Sequence, residues 1–91
     1  MGEDGHIASI FPNDNLSIEA MMSTANIVQT NSPIDPKIRF SISPKLISES
    51  KKCYLFFTGE KKLNQFNSDF KNLPITWMKQ HITSIFYSKN T

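Results

Sequence analysis

One cysteine, one tryptophan and three glycines are all this chain holds of those residues among its 91 positions, and each scarcity closes off a class of protein. A lone Cys53 can form no internal disulfide, which removes the disulfide-stapled secreted scaffolds and agrees with a reducing compartment. It lies in the strand-like run Lys52-Cys53-Tyr54-Leu55-Phe56-Phe57, where a cysteine behaves as a small buried hydrophobe. Glycines at 2, 5 and 59 only leave no glycine-rich loop to cradle a phosphate. No apolar run is long enough to span a bilayer, and no basic segment precedes an apolar one as in a signal peptide. The expectation is a soluble cytoplasmic protein with no membrane partner. Ten Lys and Arg against eight Asp and Glu leave a net charge of +2, too little and too scattered to argue for a nucleic-acid partner.

What is present is a globular composition. Apolar residues make up 38% of the chain and include seven phenylalanines, enough for one modest core. A chain of this size buries only roughly 60 to 65 per cent of its unfolded surface, so its stability is expected to be marginal.

Hydrophobic spacing divides the chain into short elements. Ile7, Ile10 and Phe11 recur at helical spacing until Pro12 and Asn13-Asp14-Asn15 begin a turn. Asn15 then caps a helix to about Thr24, with Leu16, Ile18, Met21 and Met22 inward, the two methionines as adaptable core filling. Asn26 to Thr30 reads as a strand, and Asn31-Ser32-Pro33-Ile34-Asp35-Pro36 as a connection whose prolines exclude pairing. Lys37 to Ser43 alternates as a half-buried strand should, with Ile38, Phe40 and Ile42 facing the core and Arg39 facing water or a site at the strand edge.

Ser43-Pro44 opens a helix to Ser50 with Leu46 and Ile47 inward. Cys53 to Phe57 is apolar enough to be a central strand covered on both faces. After Gly59 the period changes, and Leu63, Phe66 and Phe70 line one side of a helix, with Lys61 and Asp69 elsewhere. Pro74 starts a short helix to Gln80, and Ile82 to Tyr87 closes as a strand. Strands alternating with helices imply an α/β layered unit with a largely parallel sheet. In such sheets ligands gather at the carboxyl ends of strands, where Thr58-Gly59 and the Asp4-Gly5-His6 turn are expected.

The chemical candidate is His6. Imidazole has an unperturbed pKa of about 6.5, so it can accept and return a proton near neutrality. Gly5 beside it permits close approach, and Asp4 can hold the imidazole tautomer or cap a helix. From the residues alone, two readings stand: an exposed surface histidine or a catalytic one. His81 has no chemical partner in sequence and reads as structural or exposed.

The stretch Gly2-Glu3-Asp4-Gly5-His6-Ile7-Ala8-Ser9-Ile10-Phe11-Pro12 resembles the signature of 6-phosphogluconolactonases: Gly, any residue, Asp-Gly-His, a small or branched residue, Ala-Ser, an aliphatic, Phe-Pro. Ser32-Pro33, Pro36 and Arg39-Phe40-Ser41 are similar to that family's proline-rich approach to an Arg-led strand. Thr58-Gly59 with Lys62, and Leu73-Pro74, look like its later turns. The related glucosamine-6-phosphate deaminases share Asp-Gly-His-Ile-Ala but continue Phe-Asn-Glu-Pro, and the Glu of that motif is missing from Ser9-Ile10-Phe11-Pro12.

The resemblance implies a partial Rossmann-like layered fold with a mostly parallel sheet, lacking its amino-terminal half. It implies hydrolysis of 6-phospho-D-glucono-1,5-lactone with neither metal nor organic cofactor. His6 would be the general base and Asp4 its support, while Gly5, Arg39 and Lys62 would bind the phosphorylated sugar lactone. The family's Ser-Gly-Gly phosphate turn and Asp-Glu-Arg segment do not occur in this chain. The expectation is therefore that activity requires pairing with an amino-terminal half. The competing expectation is a non-catalytic α/β remnant that self-associates through its bare sheet edge.

Overall fold

The computed structural model describes residues 1–68 and 73–89; the helix-face positions expected for Asp69 and Phe70 lie outside them. Helices and strands alternate as α1 (Asn15–Ala20), β1 (Ile27–Asn31), β2 (Ile38–Ile42), α2 (Pro44–Glu49), β3 (Tyr54–Thr58), α3 (Glu60–Phe66), α4 (Pro74–Met78), a 3-10 turn over Lys79–His81, and β4 (Ser84–Ser88).

Local chemistry accounts for the helix ends. Ser43 caps α2 by accepting the Leu46 N–H, with Pro44 in the first turn. Asp14, rather than the expected Asn15, caps α1. That helix stops at Ala20, short of Thr24, because the N–H groups of Met21, Met22 and Ser23 bond only three residues back, to Ile18, Glu19 and Ala20. Its buried face is Ser17 and Ala20. Ile18 and Met22, expected inward, are 60% and 87% exposed.

Two two-stranded sheets result among the described residues. β1 and β2 pair antiparallel, Val28 opposite Ser41 and Thr30 opposite Arg39. β3 and β4 pair parallel, Leu55 opposite Ile85 and Phe57 opposite Tyr87, with α3 and α4 in the crossover that a parallel pair requires. The parallel, layered α/β unit expected from the sequence is this βαβ segment. The core is Ile7, Ile10, Ala20, Ile47, Leu55, Phe57, Ile75 and Met78, each large side chain contributing about 1.5–3 kcal/mol by its burial. His81 packs against Trp77 with ring centroids 4.6 Å apart and the planes tilted by 46°, a structural role.

Two sheet faces differ from the sequence expectation, for one reason. On β2 the side that packs inward is the polar one, Ser41 at 6% exposed, while Ile38, Phe40 and Ile42 are turned out. The inward hydroxyls have partners in the loop that carries His6, as described below, and no described element covers the apolar side. On β3, Leu55 and Phe57 are buried, but Tyr54 and Phe56 face out. It is therefore covered on one face, not two, and in a two-stranded sheet it is not central.

Candidate active site

Residues 2–11 form no helix, although their apolar spacing suggests one. They fold into two consecutive tight loops. The Gly2 N–H donates to the His6 carbonyl at 2.9 Å, and the Gly5 N–H donates to the Gly2 carbonyl at 3.1 Å. Gly5 sits at φ +87°, a conformation that glycine alone adopts without strain. Ile7 and Ile10 then bridge, with Ala8 at φ 47° between them, and both isoleucines insert into the core. Ile7 and Ile10 anchor the loop from below and leave His6 beside them at the surface.

The β1–β2 hairpin grips the same loop from the side. Ser41 Oγ accepts the Ser9 N–H at 3.0 Å, and Thr30 Oγ1 donates to the Ser9 carbonyl at 2.5 Å. Thr30 is fully buried, and both backbone groups of the half-buried Ser9 are satisfied by the hairpin's hydroxyls. Below it, the Phe11 N–H donates to Ser17 Oγ at 3.0 Å, and Ser17 Oγ donates in turn to Asp14 Oδ2 at 2.6 Å. Asp14 also accepts from the Ser17 and Asn31 N–H groups. Desolvation raises its pKa, but the hydrogen bonds from Asn31 and Ser17 outweigh that and hold the carboxyl below its ordinary value.

His6 and Phe11 are thus fixed from different elements and meet, with ring centroids 4.8 Å apart. His6 Nδ1 lies 2.6 Å from Asp4 Oδ1, and the same oxygen accepts the His6 backbone N–H at 3.0 Å. A carboxylate only accepts, so Nδ1 carries the proton and Nε2 keeps the lone pair of the neutral ring. The two side chains remain 32% and 38% exposed, open enough for water or a ligand to reach.

His6 and Asp4 line a cleft of about 570 Å³ together with Gly2, Glu3, Phe11, Ser32, Pro33, Ile34, Arg39 and Lys62. Arg39 comes from the inward side of β2, its Nε donating to the Pro36 carbonyl and its guanidinium 5.8 Å above the Phe11 ring. Lys62 comes from the first turn of α3, just after the carboxyl end of β3. The cleft therefore sets one imidazole and two cations beside the carboxylates of Glu3 and Asp4; the imidazole can exchange a proton and the cations can hold an anionic group such as a phosphate. Four of the five residues expected from the sequence, Asp4, His6, Arg39 and Lys62, come together there. Gly5 is buried and does not line it; its carbonyl accepts the Ile75 N–H at 3.0 Å. Among the described residues, no group of three or more His, Cys, Asp or Glu side chains is arranged to hold a metal ion.

The sequence profile of the family described as "Glucosamine-6-phosphate isomerases/6-phosphogluconolactonase" matches residues 1–87. The chain belongs to that family. It is 37% identical to the 6-phosphogluconolactonase of Borreliella burgdorferi across 89% of this chain and 36% of that protein. To the 6-phosphogluconolactonase of Helicobacter pylori it is 32% identical, over 99% of this chain and 42% of that one. The crystal structure of a 6-phosphogluconolactonase from Shewanella baltica superposes on the whole chain with a TM-score of 0.78 at 30% identity, and the chain covers 42% of it. The chain thus spans about two fifths of the length of these relatives.

Within this family's fold, Phe11 escapes a reading of the site from sequence. It reads as a core apolar residue, and it is buried, yet its ring also touches His6 and lies under Arg39. Its place in the Phe-Pro end of the motif was legible, its contact with the histidine ring was not. Gly2 was legible as part of the motif but not as a contact of the histidine ring.

Proposed function

We propose that this chain is the imidazole-bearing part of a 6-phosphogluconolactonase and that its cleft opens 6-phospho-D-glucono-1,5-lactone to 6-phospho-D-gluconate. The observation that carries the reading is the Asp4–His6 pair, 2.6 Å apart, on the wall of a cleft that also presents Arg39 and Lys62. Relatives bearing that enzyme's name support the substrate class.

The chemistry follows from the free ring nitrogen. His6 Nε2 takes a proton from water as the water oxygen bonds to the lactone carbonyl carbon, and the carbonyl oxygen becomes an oxyanion. Collapse of that intermediate restores the carbonyl and breaks the bond to the ring oxygen, which takes the proton back from the imidazolium. Asp4 holds Nδ1–H throughout and steadies the positive ring. Arg39 and Lys62 neutralise the phosphate, which carries about two negative charges at neutrality.

The chain spans 36–42% of the relatives, and two apolar sheet faces stand bare: Ile38 and Phe40 on β2, Tyr54 and Phe56 on β3. This supports turnover by an assembly in which a complementary polypeptide covers those faces. The test measures lactone hydrolysis above the spontaneous rate for the chain alone and for the chain mixed with the remaining part of a 6-phosphogluconolactonase. An excess rate in the mixture that disappears with His6→Ala is expected. A mixture that forms a complex yet gives no excess rate, or one whose rate survives His6→Ala, sinks the reading.

A further inference from the structure

Gly2 lines the cleft beside His6 and has no side chain to contribute, and its lack of one is what the histidine uses. A Cβ built on Gly2 would lie 2.1 Å from His6 Cε1, 2.2 Å from His6 Nδ1 and 2.9 Å from Asp4 Oδ1. No pair of carbon or nitrogen atoms tolerates such distances, so an alanine here and the present imidazole position exclude each other. The backbone is not the obstacle: unlike Gly5 and Gly59, Gly2 is not in the positive-φ region. Its main chain accepts an L-residue; the ring stands in the way, together with the end of the Asp4 side chain bonded to it.

Three other contacts fix where the ring lies on its cleft wall. It packs against Phe11 with ring centroids 4.8 Å apart, its Nδ1 is on Asp4, and the Gly2 N–H bonds the His6 carbonyl at 2.9 Å, closing the loop. We infer that Gly2 is a positioning residue: its bare Cα is the seat of the His6 imidazole, and that seat holds Nδ1 on Asp4 and leaves Nε2 as the free ring nitrogen at the cleft. The consequence for turnover rests on the proposed role of His6 as the base; the seat itself does not.

The test uses four chains, the wild type, Gly2→Ala, His6→Ala and the double variant, and neither of its readouts involves the lactone. Long-range nitrogen-15 spectra of the neutral imidazoles report the tautomer, and the signal lost in His6→Ala assigns His6 against His81. The wild type is expected to show His6 in the Nδ1–H form. Gly2→Ala is expected to shift it to the mixed tautomers of an unrestrained side chain, with His81 unmoved. The second readout is thermal. A displaced ring should lower the Tm of Gly2→Ala by about 4 °C or more, whereas the same substitution on the His6→Ala background should cost nothing or raise the Tm slightly, as alanine does at a compatible backbone position. A Gly2→Ala chain that fails to fold while the double variant folds gives the same answer. An unchanged His6 signal in Gly2→Ala overturns the inference, and so does a loss in Tm that persists in full once His6 is already alanine. Because catalysis is not read, an inactive chain leaves the seat standing, and a failed seat leaves the proposed base standing.

Discussion

One oxygen of Asp4 holds His6 at two points: Oδ1 accepts the backbone N–H at 3.0 Å and lies 2.6 Å from Nδ1 of the ring. The carboxylate therefore sets the loop's conformation and the ring's tautomer together. In the complemented enzyme proposed above, Asp4→Ala should lower kcat by about a hundredfold, toward the low end of what general base catalysis contributes. KM should change little, since Asp4 has no part in phosphate binding. Steady-state kinetics on the mixture check this, and a change confined to KM would contradict it.

Thr30 fastens the histidine loop to the hairpin by donating to the Ser9 carbonyl, at a position fully out of water. Thr30→Val keeps the shape and removes the donor to the carbonyl of a half-buried residue. A loss of about 0.5–1.5 kcal/mol is expected, read as a lower midpoint in urea with an unchanged slope. Equal stability of the two chains would mean that water replaces the hydroxyl.

Asp14 joins α1, the end of β1 and the Phe11 backbone through Ser17 and Asn31. Its folded pKa is depressed, so its contribution is complete above the unfolded-state value near 3.9 and is lost as the pH falls through the lower folded value. Asp14→Ala should cost about 0.5–2 kcal/mol at neutral pH, the range for a lost N-cap. The gap between variant and wild type should close in acid. Denaturation curves across the acid range decide it; a gap that is constant with pH contradicts the assignment.

Ile38 and Phe40 on one sheet and Tyr54 and Phe56 on the other present large apolar side chains to solvent, an arrangement that marks an association surface. The isolated chain should self-associate, and Phe40→Ser with Phe56→Ser should shift it toward monomer without lowering its Tm. Sedimentation velocity reads the distribution. A wild-type chain that is monomeric at high concentration would count against this.

Much of the fold was legible locally. Ser43-Pro44, Gly59 and Pro74 mark helix starts through hydrogen bonds and backbone angles that nearby residues supply, and the structure opens α2, α3 and α4 there. The Asp-Gly-His stretch pointed to His6 and its partner, because a carboxylate two residues before an imidazole can reach it within one turn. Two of the departures described above show why the rest was not legible. The spacing of Ile7, Ile10 and Phe11 suits a helix, but the Ser9 backbone bonds to Thr30 and Ser41, and those distant hydroxyls hold a tight turn instead. Alternation on β2 shows that its two faces differ. It does not say which face is covered, since that depends on which layer arrives, and here the polar face has the partner.

Sequence alone determined which groups could do chemistry: an imidazole beside a carboxylate, and Arg39 and Lys62 as cations of the right kind. Tertiary structure decided that these four share one cleft, since Arg39 stands 33 positions and Lys62 56 positions beyond His6 in the numbering, and only packing of β2 and α3 around the loop brings them near. It also decided how the ring of His6 lies. The order of residues names Gly2 as part of a motif; the fold turns the imidazole onto its Cα, where the space of one missing methyl group becomes the ring's position.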